Sequence, residues 1–258
     1  MTIFDDLQVE QDRLEQILLG LDEGQWASPS GAQGWTVADV VLHLAQSEET
    51  VEASATRSTV AVGLGAAPGA TVEDRAELAV RAERDMPAAE VFGRWQRARR
   101  DAMAALRAAD AANPDEPVPW VAGPLKPATL ATTRLTEHWA HGLDITAPLG
   151  IDLPDTARLR HVAWLAQRTL PYAMQLGGER PAPVRCELTA PADSGADGSQ
   201  PDGSGVWRFG PAEAESVITG PAGDFCRVAV RRLDPGHTAL RAQGPAGATA
   251  LRLLRTFA

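Results

Sequence analysis

Across 258 residues the chain sets 24 Lys and Arg against 34 Asp and Glu, a formal net charge of −10. No basic block stands out, which argues against nucleic acid or an anionic membrane as the main partner, since both select clustered cations. Hydrophobic residues at 44% and charged residues at 22% describe a globular chain able to bury a core, as one large domain or two ordinary ones.

The N-terminal stretch, "MTIFDDLQVEQDRLEQ", lacks the basic and apolar regions of a secretory signal. No apolar run reaches the ~18 residues of a spanning helix. A soluble, cytoplasmic protein is expected. Cys186 and Cys226 lie far apart without CxxC spacing, and read as small buried hydrophobes rather than a disulfide.

In chain order, Phe4, Leu7, Leu14, Leu18 and Leu21 recur at helical intervals, one buried face of a first helix. "PSGAQGW" breaks it. Thr36 with Asp39 three residues on resembles a capping box opening a second helix, along which Val37, Val40, Val41, Leu44 and Val51 keep helical spacing. "GLGAAPGA" at 63–70 reads as a loop, and 72–86 as a mostly polar helix or lid. A further helix places Phe92, Trp95, Met103 and Leu106 on one face. After the Pro-rich connector "ANPDEPVPWVAGPLKP", a helix runs from about Ala128 to Thr146, stopped by Pro148 and Gly150. Four principal helices of this kind predict an antiparallel bundle.

Past Pro154 the texture changes. Leu159, Val162, Leu165, Ala166 and Leu170 mark a linking helix, with a kink expected at Pro171. "VRCELTA" alternates in period two as a half-buried strand does. "ADSGADGSQPDGSG" reads as a flexible hairpin tip, and "VWRFG" and "AESVITG" as the next strands. Pro221 opens a helix carrying Phe225, Cys226, Ala229, Val230 and Leu233, then "HTALRAQG" gives a short strand and "PAGATALRLLRTF" a closing helix. The fold class is therefore α+β overall. A four-helix bundle occupies 1–150, and a linking helix with a small α+β domain occupies 151–258.

The chemistry concentrates in "TEHWAHGLDI", residues 136–145. On a helix Glu137 and His141 stand one turn apart on one face, with Arg134 and Asp144 flanking the same stripe. Donors at i and i+4 can close a chelate on a divalent ion. His43, mid-helix at the margin of an apolar stripe, is the candidate third ligand. The same spacing also describes an ordinary exposed Glu–His pair, and such a His is commonly a packing residue. Trp35, Trp120 and Trp139 read as core anchors, His161 and His237 as structural or surface residues.

"GWTVADVVLHLAQSEE" and "PWVAGPLKPATLATTRLTEHWAHGLDI" resemble the paired signatures of the DinB-like metal-binding bundles, and most nearly the mycothiol-dependent maleylpyruvate isomerase-like proteins of actinobacteria. The C-terminal segments "RCELTAP", "WRFGP" and "VITGPAGDFCRVAVRRL" resemble that family's small, sterol-carrier-like α+β domain, so the resemblance spans nearly the whole chain. It implies that His43, Glu137 and His141 hold a divalent metal. Two nitrogens and one oxygen suit Zn²⁺, with Ni²⁺, Fe²⁺ and Mn²⁺ compatible by ligand type, and three ligands leave an open position. His138 falls where relatives carry a small or apolar residue, and is not read as a ligand.

The resemblance further implies mycothiol, a low-molecular-weight thiol, as co-substrate in isomerisation or S-transfer on a small electrophilic molecule. Arg134 either orients Glu137 or pairs with an acid on a neighbouring helix. Arg231 and Arg232 are candidate catalytic residues, because an arginine near this place in relatives reaches the cleft between domains. Two alternatives stand beside this reading: a thiol-independent metal-dependent cyclase, isomerase or hydrolase, and a non-catalytic small-molecule or metal-binding protein. The expected assembly is a monomer or homodimer.

Overall fold

The computed structural model describes residues 2–58, 71–121, 123–192 and 205–256. The loop expected at 63–70 and the core of the hairpin tip expected at 192–205 lie outside the described residues. By contacts the chain divides into two compact units, Met1–Leu153 and Pro154–Ala258. The architecture is α+β.

In the first unit α1 spans Ile3–Leu19, α2 Glu23–Ala27, α3 Val37–Ala55, α4 Val72–Glu83, α5 Ala88–Ala112 and α6 Pro127–Thr146. Helices α1, α3, α5 and α6 pack on one another as a four-helix bundle. The starts of α1 to α4 are written locally. Thr2 with Asp5, Asp22 with Gln25, Thr36 with Asp39 and Thr71 with Asp74 each form a reciprocal capping box, satisfying amides that no helical carbonyl reaches. The five-residue α2 is too short to show a period in sequence, yet it buries Trp26 edge-on to Phe92. Leu21, expected in the first helix, lies just past it and packs on the core.

The apolar stripe of α3 is fully buried: Val37, Val40, Val41, Leu44 and Val51 show no exposure. Each such side chain stabilises the bundle by roughly 1.5–3 kcal/mol. In α4 only Val80 is buried, matching its polar reading. Polar contacts tie α4 to α3 instead: Gln46 Nε2 donates to the Ala79 carbonyl at 3.0 Å and to Glu83 at 2.6 Å, and Arg84 meets Asp39 at 3.1 Å.

Helix α6 begins at Pro127, the first-turn position proline favours. It is buried on nearly every side, polar residues included. Its threonines tolerate this because their hydroxyls donate to carbonyls of their own helix: Thr132 to Ala128 at 3.0 Å, Thr136 to Thr132 at 2.9 Å, Thr146 to Gly142 at 2.8 Å.

In the second unit α7, Leu159–Leu176, continues through Pro171. A four-stranded sheet in the order β2-β1-β3-β4 is built from β1 (Val184–Thr189), β2 (Val206–Phe209), β3 (Ser216–Pro221) and β4 (Arg241–Gln243). The β1–β3 pair is parallel and the others antiparallel. Val184, Cys186 and Leu188 alternate inward along β1, as the period-two pattern predicts. Helices α8 (Ala222–Ala229) and α9 (Gly247–Leu253) complete the unit. The segment expected as one short strand at 237–244 enters through a 3-10 turn at Pro235–His237, so only three residues pair.

Candidate metal centre

Helices α3 and α6 pack together and bring His43, Glu137 and His141 into one cluster, their donor atoms all within 4.8 Å of one another. Among the described residues it is the only such group of three or more His, Cys, Asp or Glu. Glu137 Oε2 lies 3.5 Å from His141 Nε2 and 3.8 Å from His43 Nε2. These separations are long for hydrogen bonds. They are close to the ~3.4 Å between neighbouring ligand atoms of a tetrahedral ion with bonds near 2.0–2.1 Å. The two imidazole rings stand edge to face, centroids 5.0 Å apart. The donor set therefore fits a divalent cation.

One imidazole is oriented from behind. Asp144 Oδ2 accepts a hydrogen bond from His141 Nδ1–H at 2.9 Å, which turns Nε2 toward Glu137. Asp144 is itself fixed: its carbonyl accepts from the Gly31 amide at 2.7 Å, and a methyl on Gly31 would stand 3.1 Å from the Asp144 Cα. The loop between α2 and α3 thus braces His141 of α6 through Asp144. From the other side Trp35 lies over His43 with ring centroids 5.2 Å apart, its indole N–H donating to Glu77 of α4 at 2.6 Å.

The electrostatics follow from this crowding. Burial lowers the His43 pKa, against the pull of Glu137. For Glu137 burial acts upward, but His141, His43 and the Arg134 guanidinium together hold the carboxyl well below its usual range. His141 is also desolvated, yet Asp144 and Glu137 raise it.

The neighbouring residues separate into distinct roles. His138 is wholly buried: its Nδ1–H donates to the Arg134 carbonyl at 2.9 Å and its Nε2 accepts from the Trp95 indole at 3.3 Å. Burial, with Arg134 nearby, pushes it down to about 3, so it is a neutral packing residue. Arg134 makes its ion pair with Glu48 of α3 at 2.8 Å, the interhelical partner left open in sequence. Glu48 went unmarked in sequence, although it stands in phase with the apolar stripe of Val41, Leu44 and Val51. Trp139 is a core anchor, whereas Trp35 and Trp120 are only half-buried.

Arg231 and Arg232 follow α8 rather than ending it. Arg231 is exposed with φ +63°, and Arg232 Nη1 donates to the Val230 carbonyl at 2.6 Å.

A four-helix bundle carrying two histidines and a glutamate on facing helices is thus followed in the chain by a small mixed sheet. Residues 7–146 match the family described as the mycothiol maleylpyruvate isomerase N-terminal domain, and the chain belongs to that family. Two uncharacterized Mycobacterium tuberculosis proteins, from strains CDC 1551 / Oshkosh and ATCC 25618 / H37Rv, are each 32% identical over 235 residues, covering 88% of this chain and 84% of theirs. Crystal structures of the mycothiol-dependent maleylpyruvate isomerase and of a histidine-to-alanine mutant align with TM-scores of 0.63 and 0.62 at 14% identity, over 95% of this chain and 94% of theirs. At that identity the likeness is one of fold. No described helix is long and apolar enough to cross a membrane.

Proposed function

We propose that the protein is a metal-dependent enzyme that uses a low-molecular-weight thiol, mycothiol, for isomerisation of, or S-transfer to, a small electrophilic substrate. The observation that carries this reading is the convergence of His43 Nε2, Glu137 Oε2 and His141 Nε2, with the other nitrogen of His141 tied to Asp144. Zn²⁺ is the ion best suited to this donor set. An ion held there would keep a thiol ionised at neutral pH or polarise a substrate carbonyl. Such a thiolate would add to an activated C=C, its π electrons passing to the neighbouring carbon as a stabilised carbanion. Rotation about the new single bond and expulsion of the thiolate would complete an isomerisation, and protonation of the carbanion by solvent would complete an S-transfer.

The chain's own groups divide the remaining work. Asp144 fixes the tautomer of His141, and Arg134, buried against Glu48, is a positioning residue beside Glu137. Arg231 is the stronger candidate for meeting a substrate anion, since it is exposed while a guanidinium nitrogen of Arg232 already donates to a backbone carbonyl. The family match and the fold shared with a mycothiol-dependent isomerase support the choice of thiol.

The test is elemental analysis of the purified protein together with turnover assays, with and without mycothiol, on activated alkenes and other electrophiles. About one ion per chain, lost in His43→Ala and in His141→Ala, is expected, along with thiol-dependent turnover. Turnover indifferent to thiol would remove mycothiol from the mechanism, and metal retained in both variants would remove the proposed centre.

A further inference from the structure

Glu48 and Arg134 form an ion pair at 2.8 Å with relative exposures of only 1% and 3%. A buried pair of this kind is seldom retained for stability alone, since apolar replacements of similar volume often fold as well or better. Its position suggests another use. Arg134 stands three residues before Glu137, on the same face of α6. A guanidinium cannot shed its charge in a protein, so in a buried place it needs a carboxylate.

Two carboxylates bear on it: Glu48, which it binds, and Glu137, one turn further along the same face of α6. Arg134 Nη2 is buried without a hydrogen-bond partner, so donor capacity remains. The surrounding groups are otherwise committed: His138 bonds to the Arg134 carbonyl and Trp95, and Arg99 holds Asp12 and Glu15.

We propose that Glu48 is a positioning residue for the His43–Glu137–His141 centre: by holding the Arg134 guanidinium, it keeps the Glu137 carboxylate available to a divalent cation. The inference rests on the metal-binding reading of that centre. Arg134 is then held against Glu48 instead of closing on Glu137. Without Glu48, the fork has one carboxylate left, and cation and arginine compete for it.

The experiment titrates full-length protein, stripped of metal, with Zn²⁺ against a chromophoric chelator at pH 7.5, and with Co²⁺ to read the ligand field from its visible spectrum. Glu48→Gln keeps the shape and removes the charge, and Zn²⁺ affinity is expected to fall about 10- to 100-fold. Adding Arg134→Met to Glu48→Gln removes the competitor and is expected to restore affinity and the Co²⁺ spectrum to near wild type. A general structural role for Glu48 would not produce this rescue.

Glu48→Gln binding Zn²⁺ as tightly as wild type overturns the proposal, as does a folded double variant that stays weak. If Glu48→Gln does not fold, Glu48→Leu with Arg134→Met decides: near-wild-type binding supports the proposal, and loss of binding in that folded protein refutes it. Wild-type protein whose Zn²⁺ binding does not depend on His43 and His141 would instead sink the metal reading, a result distinct from all of these.

Discussion

Arg231 carries a stability test whose sign can be worked from the backbone. Its amide donates to the Val228 carbonyl at 2.9 Å and the Arg232 amide to the Arg227 carbonyl at 2.8 Å. This pair of bonds is the Schellman closure of α8, and the residue in its left-handed position is usually glycine. Here it is arginine with φ +63°. A left-handed L-residue costs roughly 1–2 kcal/mol. Glycine relieves that strain but loosens the unfolded chain by about 0.4–1 kcal/mol. Arg231→Gly should therefore stabilise the protein by about 0.5–1 kcal/mol, raising the melting midpoint by about 1–4 °C. Arg231→Ala keeps the strain and should gain nothing. Guanidinium titrations of the three proteins measure this directly, and a glycine variant no more stable than the alanine variant would refute the reasoning. Activity gives the second half of the test. If the Arg231 side chain meets the substrate, both variants lose turnover alike, and the glycine variant becomes the more stable and less active protein.

Other substitutions probe separate links. Gly31→Ala places a methyl 3.1 Å from the Asp144 Cα and 3.2 Å from its Oδ1, forcing Asp144 to shift; Zn²⁺ affinity should drop about 10-fold with far-UV circular dichroism unchanged. Thr36→Ala removes the hydroxyl that accepts the Asp39 amide at 3.1 Å and should cost about 1 kcal/mol in urea unfolding. Asp39→Ala should cost more, because Asp39 also meets Arg84 at 3.1 Å. Burial raises the Cys186 thiol from 9.0 to about 12, so its contribution to stability is complete below pH 9 and is lost as pH rises toward 12. Each pH unit in that window costs about 1.4 kcal/mol, and Cys186→Ala, compared with wild type in alkaline denaturation series, should flatten the slope by that amount.

Much of this was legible before any coordinates. Thr36 and Asp39 announced the start of α3, and Glu137 and His141 declared a shared face by spacing alone. What stayed hidden has physical causes. Helix α2 holds five residues, fewer than two turns, so no period develops. Threonine-rich α6 looks polar in sequence, but hydroxyls bonded to their own helix leave little polarity to solvate. Glu48 and Arg134 are 86 positions apart. Arg134 reads in sequence as orienting Glu137 or pairing with an acid on a neighbouring helix, but nothing marks Glu48 as that acid, and only packing joins the two. Gly31 bears no chemical mark at all, because its contribution is the absence of a side chain where Asp144 must sit.

The unequal way the helices begin has a bearing on how the protein folds. Helices α1 to α4 carry reciprocal caps and can start themselves from nearby residues. Helix α6 has no capping side chain, no acid in its first turn and no base in its last, and its threonines are poor helix formers. Its helicity must be lent by α1, α3 and α5, the partners it packs against. The segment that brings Glu137 and His141 is thus less able to form alone than α1 to α4. A chain arrested partway would hold its scaffold before His43, Glu137 and His141 converge, so that their meeting reports the completion of folding.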